Sequence, residues 1–182
     1  GLSLWEIAAL PLRAPTAYHM WRRALGIYRV KGPRERQAVL NVLSFGGGVG
    51  ELFLQLAKAE GHNAYFCAGS KERRDALEAF GIVGIDQKAY NRFASRDDVS
   101  KFRATVRDLT GGTNMHIVCD MLRGPVFPAG LAVASPQGGH VSAGWPPSPA
   151  VGHNTDLQCA QPVPGAPHHP RARDGGQAGE GR

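Results

Sequence analysis

Residues 38–50, AVLNVLSFGGGVG, and residues 51–58, ELFLQLAK, form the stretch that decides the fold. The apolar run at 39–43 is too short for a helix and is typical of a buried parallel strand. Clustered glycines end this run, and apolar residues then recur at intervals of three and four, which predicts a helix. In such a unit the glycines let backbone N–H groups approach a pyrophosphate, and the helix N-terminus adds a favourable partial charge. The residues predicted to contact a pyrophosphate are Gly46, Gly47, Gly48, Val49 and Gly50.

The chain on either side of this stretch alternates between short apolar runs and helical patterns. Further strands are predicted at 63–67, 82–85, 115–119 and 139–143. Two helices are predicted within residues 3–31, the second over 16–25, and a polar loop is predicted at 86–96. Strands that alternate with helices predict the α/β class. We expect a Rossmann-like, doubly wound parallel sheet of about five strands in the order 3-2-1-4-5.

Composition and charge argue against several classes of partner. The net charge is +6, but the basic residues are scattered, which favours a solvated surface over a nucleic-acid interface. The three cysteines and the lack of a long apolar run predict a soluble cytoplasmic protein without a membrane partner. No cysteine cluster has the spacing of metal ligands, so no metal site is predicted.

Several short motifs together resemble the cofactor domain of one enzyme superfamily. They are GGGVG at 46–50, QLAK at 55–58, SKER at 70–73, LTGG at 109–112, IVCD at 117–120 and GGHV at 138–141. Over residues 3–145 the chain resembles the medium-chain dehydrogenase/reductase superfamily, in particular its zinc-independent enoyl and quinone reductases, including crotonyl-CoA-reductase-like proteins. The resemblance implies an NADPH-dependent oxidoreductase, truncated to most of its cofactor domain, that acts on a small molecule with an enoyl or carbonyl group. It implies no zinc, because the family's zinc ligands lie in an N-terminal domain that this chain lacks.

The resemblance also divides the chain into three parts. Residues 1–36 resemble the end of the family's catalytic domain and form a helical lead-in, and residues 37–145 form the dinucleotide-binding domain. Residues 146–182 are rich in proline and glycine and offer few aliphatic side chains, so we expect them to be disordered. They cannot supply the sixth strand of the family, which leaves an unpaired edge on the fifth. Such edges are usually covered, so we expect a homodimer through it.

Two further groups of residues are candidates for the site. In the family the threonine that matches Thr16 lies near the nicotinamide, and Tyr18 and His19 could donate or relay protons. The alternative is a helix on which His19 faces solvent or caps a neighbour. No acidic residue follows the second strand to hold a ribose 2′-hydroxyl, and a hydroxyl and cations there favour the 2′-phosphate of NADPH. The residues predicted to hold that phosphate are Ser70, Lys71 and Arg74, although Ser70 would also serve as a helix N-cap.

Two departures from the family pattern concern the glycine turn. Members usually carry glycine and a small residue where this chain has Ser44 and Phe45, and a small or hydroxyl residue in place of Glu51. A phenylalanine in the turn would occupy the space of the pyrophosphate, and the Glu51 carboxylate would repel a phosphate. We therefore expect NADPH binding to be weak or lost. The alternative function is a redox-inactive remnant of the scaffold that serves as a cofactor-independent cyclase or dehydratase, or as a binding protein.

Overall fold

The computed structural model describes residues 3–31 and 39–142, and the following elements lie within them. The strands are β1 (Asn41–Phe45), β2 (Asn63–Ala68), β3 (Val83–Asp86), β4 (Met115–Asp120) and β5 (Ala134–Ser142). The helices are α1 (Leu4–Lys31), α2 (Val49–Ala59), α3 (Lys71–Glu78), α4 (Arg96–Leu109) and α5 (Val126–Val133). The strands form one sheet in the order β3-β2-β1-β4-β5, and all neighbouring pairs are parallel. The predicted fold class and strand order are confirmed.

The sheet separates two hydrophobic layers, as a doubly wound fold requires. One layer packs α1, α2 and α3 against the sheet around Trp21, Phe53 and Phe66. The other packs α4 and α5 against the opposite face around Phe45 and Phe102. Every residue of β1 is buried, because helices cover both faces of the central strand. The site must therefore lie at an end of the sheet rather than on a face.

The prediction of two helices within residues 3–31 is wrong, because α1 is a single helix of 28 residues with Pro11 and Pro15 inside it. Its inner stripe is fully or almost fully buried against α2 and the sheet. The stripe consists of Ala17, Met20, Trp21, Ala24, Leu25 and Tyr28. Each large side chain buried in this way contributes about 1.5–3 kcal/mol, so the stripe outweighs the cost of about 3 kcal/mol for an internal proline.

The prediction of a polar loop at 86–96 is also wrong. Residues Gln87–Phe93 form short 3₁₀ turns on either side of a kink with positive φ at Asn91 and Arg92, and Tyr90 and Phe93 are buried. Their rings stack with a centroid distance of 6.1 Å, and both pack against Phe102 of α4. Burial of two aromatic rings, three residues apart, fixes a segment whose other side chains are polar except for Ala89.

Two other sequence predictions, the start of the fifth strand and the absence of a membrane-spanning helix, can be compared with the described residues. Strand β5 begins at residue 134 rather than 139 and shows a register irregularity opposite Met115 and Ile117. None of the described helices is long and apolar enough to cross a membrane. The predicted boundary at residue 36 and the segment 146–182 lie outside the described residues.

Candidate functional site

The candidate site lies at the carboxyl ends of β1 and β4. The chain leaves β1 towards β2 on one side of the sheet and leaves β4 towards β5 on the other. In doubly wound sheets, ligands bind in the crevice that opens where the strand order diverges in this way. The glycine turn begins directly at this point, because β1 ends at Phe45.

The expectation that the Phe45 side chain lies in the glycine turn is wrong. Strand β1 extends to this residue, which pairs with Cys67 on one side and Asp120 on the other. Its side chain is fully buried, and its ring lies 5.8 Å from those of Phe93 and Phe102. The ring therefore supports the turn from the core below and does not occupy the space above it.

The backbone of the turn fits a phosphate group. Gly46 and Gly48 have φ angles of +82° and +66°, the left-handed region that favours glycine. A Cβ atom on Gly46 would lie 2.9 Å from Leu122, and one on Gly50 would overlap the Ser44 hydroxyl. Helix α2 begins without a side-chain cap, so no capping side chain competes for its first N–H groups. The turn thus consists of glycine backbone at the uncapped, positive end of a helix, which is the arrangement that binds a pyrophosphate.

Two arginines that sequence reasoning did not select approach this turn. Arg73 extends from α3 onto Gly47, where a Cβ atom would overlap its guanidinium group. Arg13 extends from α1 towards Gly48, where a Cβ atom would lie 3.5 Å from its Nε. Arg73 could have been found from its place beside Arg74, but nothing in the sequence links Arg13 to a turn more than thirty residues away.

Glu51 contacts one of these two arginines, Arg73. Its Oε1 lies 2.9 Å from Nη2 of Arg73, and the two side chains are 24% and 51% exposed. This Oε1 is buried and accepts no hydrogen bond from the described residues. The ion pair is therefore a charge contact without hydrogen-bond alignment.

The three residues predicted to hold a 2′-phosphate occupy different environments. Ser70 caps α3, since its Oγ accepts a hydrogen bond from the Arg73 N–H at 3.3 Å. Lys71 is exposed and pairs with Asp75 at 2.6 Å, and the pKa of Lys71 is raised chiefly by that hydrogen bond. Arg74 turns towards the sheet, where it donates to the Ala68 carbonyl oxygen at 2.6 Å and pairs with Asp86 at 3.2 Å. Lys71 is thus accessible to a ligand, while the guanidinium of Arg74 is already engaged.

The predicted residues near the nicotinamide all lie on α1. The Thr16 hydroxyl donates to the Leu12 carbonyl oxygen at 2.8 Å. Tyr18 and His19 are exposed, with their rings edge to face at 5.9 Å. Thr16 and His19 line a surface groove, and its lining residues within the described part of the chain all belong to α1. Thr16 lies three residues beyond Arg13, and therefore on the part of α1 that approaches the turn.

The end of β4 contributes a buried carboxylate that sequence reasoning did not assign to the site. Asp120 Oδ1 accepts hydrogen bonds from the N–H groups of Leu122 and Arg123, both at 2.8 Å. Its Oδ2 is buried and accepts none from the described residues. Arg123, at a φ of +59°, donates from Nε to the Ser142 hydroxyl at 3.3 Å. Asp120 thereby fixes the loop that places Leu122 against Gly46.

The two described cysteines are not candidates for covalent chemistry. Cys67 and Cys119 are free and fully buried. Burial raises the pKa of both thiols, that of Cys119 to about 12. A thiolate is the reactive form, so neither side chain is a nucleophile near neutral pH. The described residues also hold no group of three or more His, Cys, Asp or Glu side chains that could bind a metal.

Comparisons with known proteins agree with this geometry. The profile of the family described as zinc-binding dehydrogenases matches residues 48–161. Highly reducing polyketide synthase AN6791 of Emericella nidulans is 31% identical over 145 residues, which are 79% of this chain and 5% of that protein. The chain thus spans only a small part of the curated relatives that it matches.

The chain is also similar to solved structures of reductases and related proteins. The CurK enoyl reductase is 25% identical with a TM-score of 0.53, over 78% of this chain and 37% of that one. Mycobacterial Rv1454c, solved in complex with NADPH, is also 25% identical, with a TM-score of 0.59 over 81% of this chain and 40% of that one. Both likenesses extend over most of the described residues.

Proposed function

Because the chain belongs to the zinc-binding dehydrogenase family, within the medium-chain dehydrogenase/reductase superfamily, we propose that it is the cofactor-binding part of an NADPH-dependent reductase. The observation that supports this most strongly is the turn at residues 46–50, which places glycine backbone and uncapped helix N–H groups at the divergence of β1 and β4. The similar structure of Rv1454c contains NADPH, and here no acidic residue follows β2 directly.

The proposed assignment of residues follows the geometry. The turn holds the pyrophosphate, while Ser70 and Lys71 hold the 2′-phosphate. Arg74 joins them only if it leaves Asp86, to which it is paired at 3.2 Å. The expectation of weak binding depends on Glu51 alone, because Phe45 lies in the core.

We further propose that the substrate is an enoyl thioester, with a carbonyl compound as the alternative. One similar structure is named an enoyl reductase and the curated relative is a reducing polyketide synthase. When bound, the reduced nicotinamide supplies a hydride. Reduction of a conjugated double bond also needs a proton at the second carbon, and Tyr18 and His19 are the candidate donors, with Thr16 near the nicotinamide.

The test is a thermal melt of the full chain with NADPH and with NADH. A ligand that binds only the folded state stabilises it by about 2.7 kcal/mol at a hundredfold excess over its dissociation constant. We expect a small shift with NADPH, a larger one in Glu51→Gln, and a smaller one with NADH. Consumption of NADPH with an enoyl thioester, compared with the matching ketone, then assigns the substrate. Absence of any shift in both proteins would reject the proposal.

A cytoplasmic location and a homodimer through the outer edge of β5 remain proposals. Among the described strands β5 pairs only with β4, so its other edge is free to accept a strand. Light scattering on the full chain would give the mass, and a monomer at all concentrations would reject the dimer.

A further inference from the structure

The glycine turn is flanked by two guanidinium groups from different parts of the chain. Arg73 reaches it from α3 at Gly47, and Arg13 reaches it from α1 at Gly48. We propose that these two arginines form a clamp on the diphosphate of the cofactor, and that Glu51 holds Arg73 in place until the diphosphate displaces it. This inference rests on the proposed function, because it assigns residues to the same site.

The contact between Arg73 and Glu51 has the properties of a replaceable one. Glu51 Oε1 lies 2.9 Å from Nη2 of Arg73, yet this buried oxygen accepts no hydrogen bond from the described residues. A guanidinium group offers several N–H donors in one plane, which matches two phosphate oxygens better than a single misaligned carboxylate oxygen. A diphosphate would therefore gain well-aligned, charge-assisted hydrogen bonds where Glu51 makes none.

Arg13 is the complementary half of the clamp. It is exposed and forms no ion pair with any side chain that the structure describes. Its Nε would lie 3.5 Å from a Cβ atom on Gly48, so an anion seated on the turn would lie within reach of its charge. The turn thus has a positive charge on each side and a negative charge, Glu51, on one side only.

The neighbouring Arg74 shows that this arrangement is specific to Arg73. Arg74 donates to the Ala68 carbonyl oxygen at 2.6 Å and pairs with Asp86, and its side chain is only 13% exposed. Its hydrogen-bonding groups are therefore committed to the end of β2 and to β3. Arg73 lies on the turn itself, which favours the diphosphate over the 2′-phosphate as its ligand.

The experiment measures three ligands on the full chain by calorimetric titration: NADPH, NADH and inorganic pyrophosphate. We expect Arg13→Ala and Arg73→Ala each to weaken binding of all three by about tenfold, the usual loss for a charge-assisted hydrogen bond. Glu51→Gln should strengthen binding of all three. Arg107→Ala, which removes an exposed arginine from the far end of α4, should leave them unchanged.

Several outcomes would overturn the clamp. If Arg73→Ala weakens NADPH but not NADH, Arg73 is a ligand of the 2′-phosphate instead. If the alanine variants bind like the parent protein, the arginines do not contact the ligand. If Glu51→Gln binds like the parent protein, Glu51 does not compete with the ligand for Arg73. Arg73→Lys and Arg13→Lys keep the charge but lose the planar guanidinium group. A loss of affinity in these variants that is smaller than in the alanine variants excludes a folding defect as the cause of weaker binding.

The clamp and the proposed function can fail separately. Pyrophosphate binding that depends on Arg13 and Arg73, with no binding of either nucleotide, would support the clamp and reject the reductase. Binding of NADPH that is insensitive to both arginines would support the reductase and reject the clamp. If neither pyrophosphate nor a nucleotide binds to the parent protein or to Glu51→Gln, both are rejected.

Discussion

The two ends of strand β1 are built from different kinds of contact. At the amino end, the N–H of Asn41 donates to Nδ1 of His116 at 2.8 Å, and the N–H of Leu40 donates to Nδ1 of His62 at 3.3 Å. The Asn41 side chain donates to the Thr113 hydroxyl at 2.8 Å and accepts a hydrogen bond from Asn63 at 3.0 Å. This end is a network of neutral hydrogen bonds that ties β1 to β2 and to the segment that leads into β4.

At the carboxyl end, Asp120 Oδ1 accepts hydrogen bonds from the N–H groups of Leu122 and Arg123, but other carboxylate oxygens lack such partners. The buried oxygens Glu51 Oε1 and Asp120 Oδ2 accept no hydrogen bond from the described residues. Buried atoms without a partner also occur towards the amino end, but these include only neutral groups among the described residues: Trp21 Nε1, Tyr28 Oη and Asn114 Oδ1. A carboxylate oxygen costs more to bury unpaired than a neutral group does. The amino end thus contributes neutral hydrogen bonds, whereas the carboxyl end, where we propose the ligand site, holds carboxylate oxygens without a hydrogen-bond partner among the described residues.

The strongest test of this division concerns Phe45, which lies below the turn but belongs to the core. Phe45→Ala should lower the free energy of unfolding by about 3–5 kcal/mol, because it leaves a cavity between Phe93 and Phe102. Chemical denaturation would measure the loss. Phe80→Ala is the control, since Phe80 is 58% exposed and should change stability little.

An unchanged stability in Phe45→Ala, together with tighter NADPH binding, would contradict the structure. It would restore the sequence-based expectation that the ring fills the turn. The same result would mean that Phe45 does not belong to the hydrophobic core beneath the turn.

Phe45 also shows where sequence reasoning reached its limit. The strand, the glycines and the helix follow from local pattern, so the fold class and strand order could be predicted. A strand's last residue is set by its pairing partners, Cys67 and Asp120, which lie far along the chain. Arg13 was missed for the same reason, because only the folded sheet brings α1 to the turn, whereas Arg73 could have been found beside Arg74.

The second test concerns the amino end and its pH dependence. Burial lowers the pKa of His62 and His116 below the usual 6.5. For His62, Arg29 adds to this effect and Glu60 opposes it; for His116, His62 adds to it. Below pH 6.5 the unfolded chain therefore binds more protons than the folded one. Stability should be complete above pH 6.5 and fall as pH decreases, by up to about 1.4 kcal/mol per pH unit for each histidine.

Urea unfolding at several pH values between 5 and 8 would measure this slope. His62→Gln keeps an acceptor for the Leu40 N–H but removes the titration, so its slope should be smaller. His19→Gln, which removes an exposed imidazole from α1, is the matched control. A slope that His62→Gln leaves unchanged would place the pH dependence elsewhere, for example at the buried His140.

The smallest expected effect on stability belongs to Lys71, at the carboxyl end of the sheet. Its only partner among the described residues is Asp75, in an exposed pair whose attraction is screened by solvent. Lys71→Ala should therefore leave the melting temperature unchanged. If Lys71 holds the 2′-phosphate, the same variant should weaken NADPH binding several-fold and leave NADH binding unaffected, because only NADPH carries that group. Lys101→Ala on α4 removes an exposed lysine away from the site and should change neither the melting temperature nor the binding of NADPH or NADH.

Arg74→Ala provides the contrast: it should lower the melting temperature, because it removes the ion pair with Asp86 and the hydrogen bond to the Ala68 carbonyl oxygen. Equal weakening of NADPH and NADH by Lys71→Ala would instead place Lys71 beside the diphosphate, and no weakening would exclude Lys71 and leave Arg73 or Arg74 as the cation that selects NADPH.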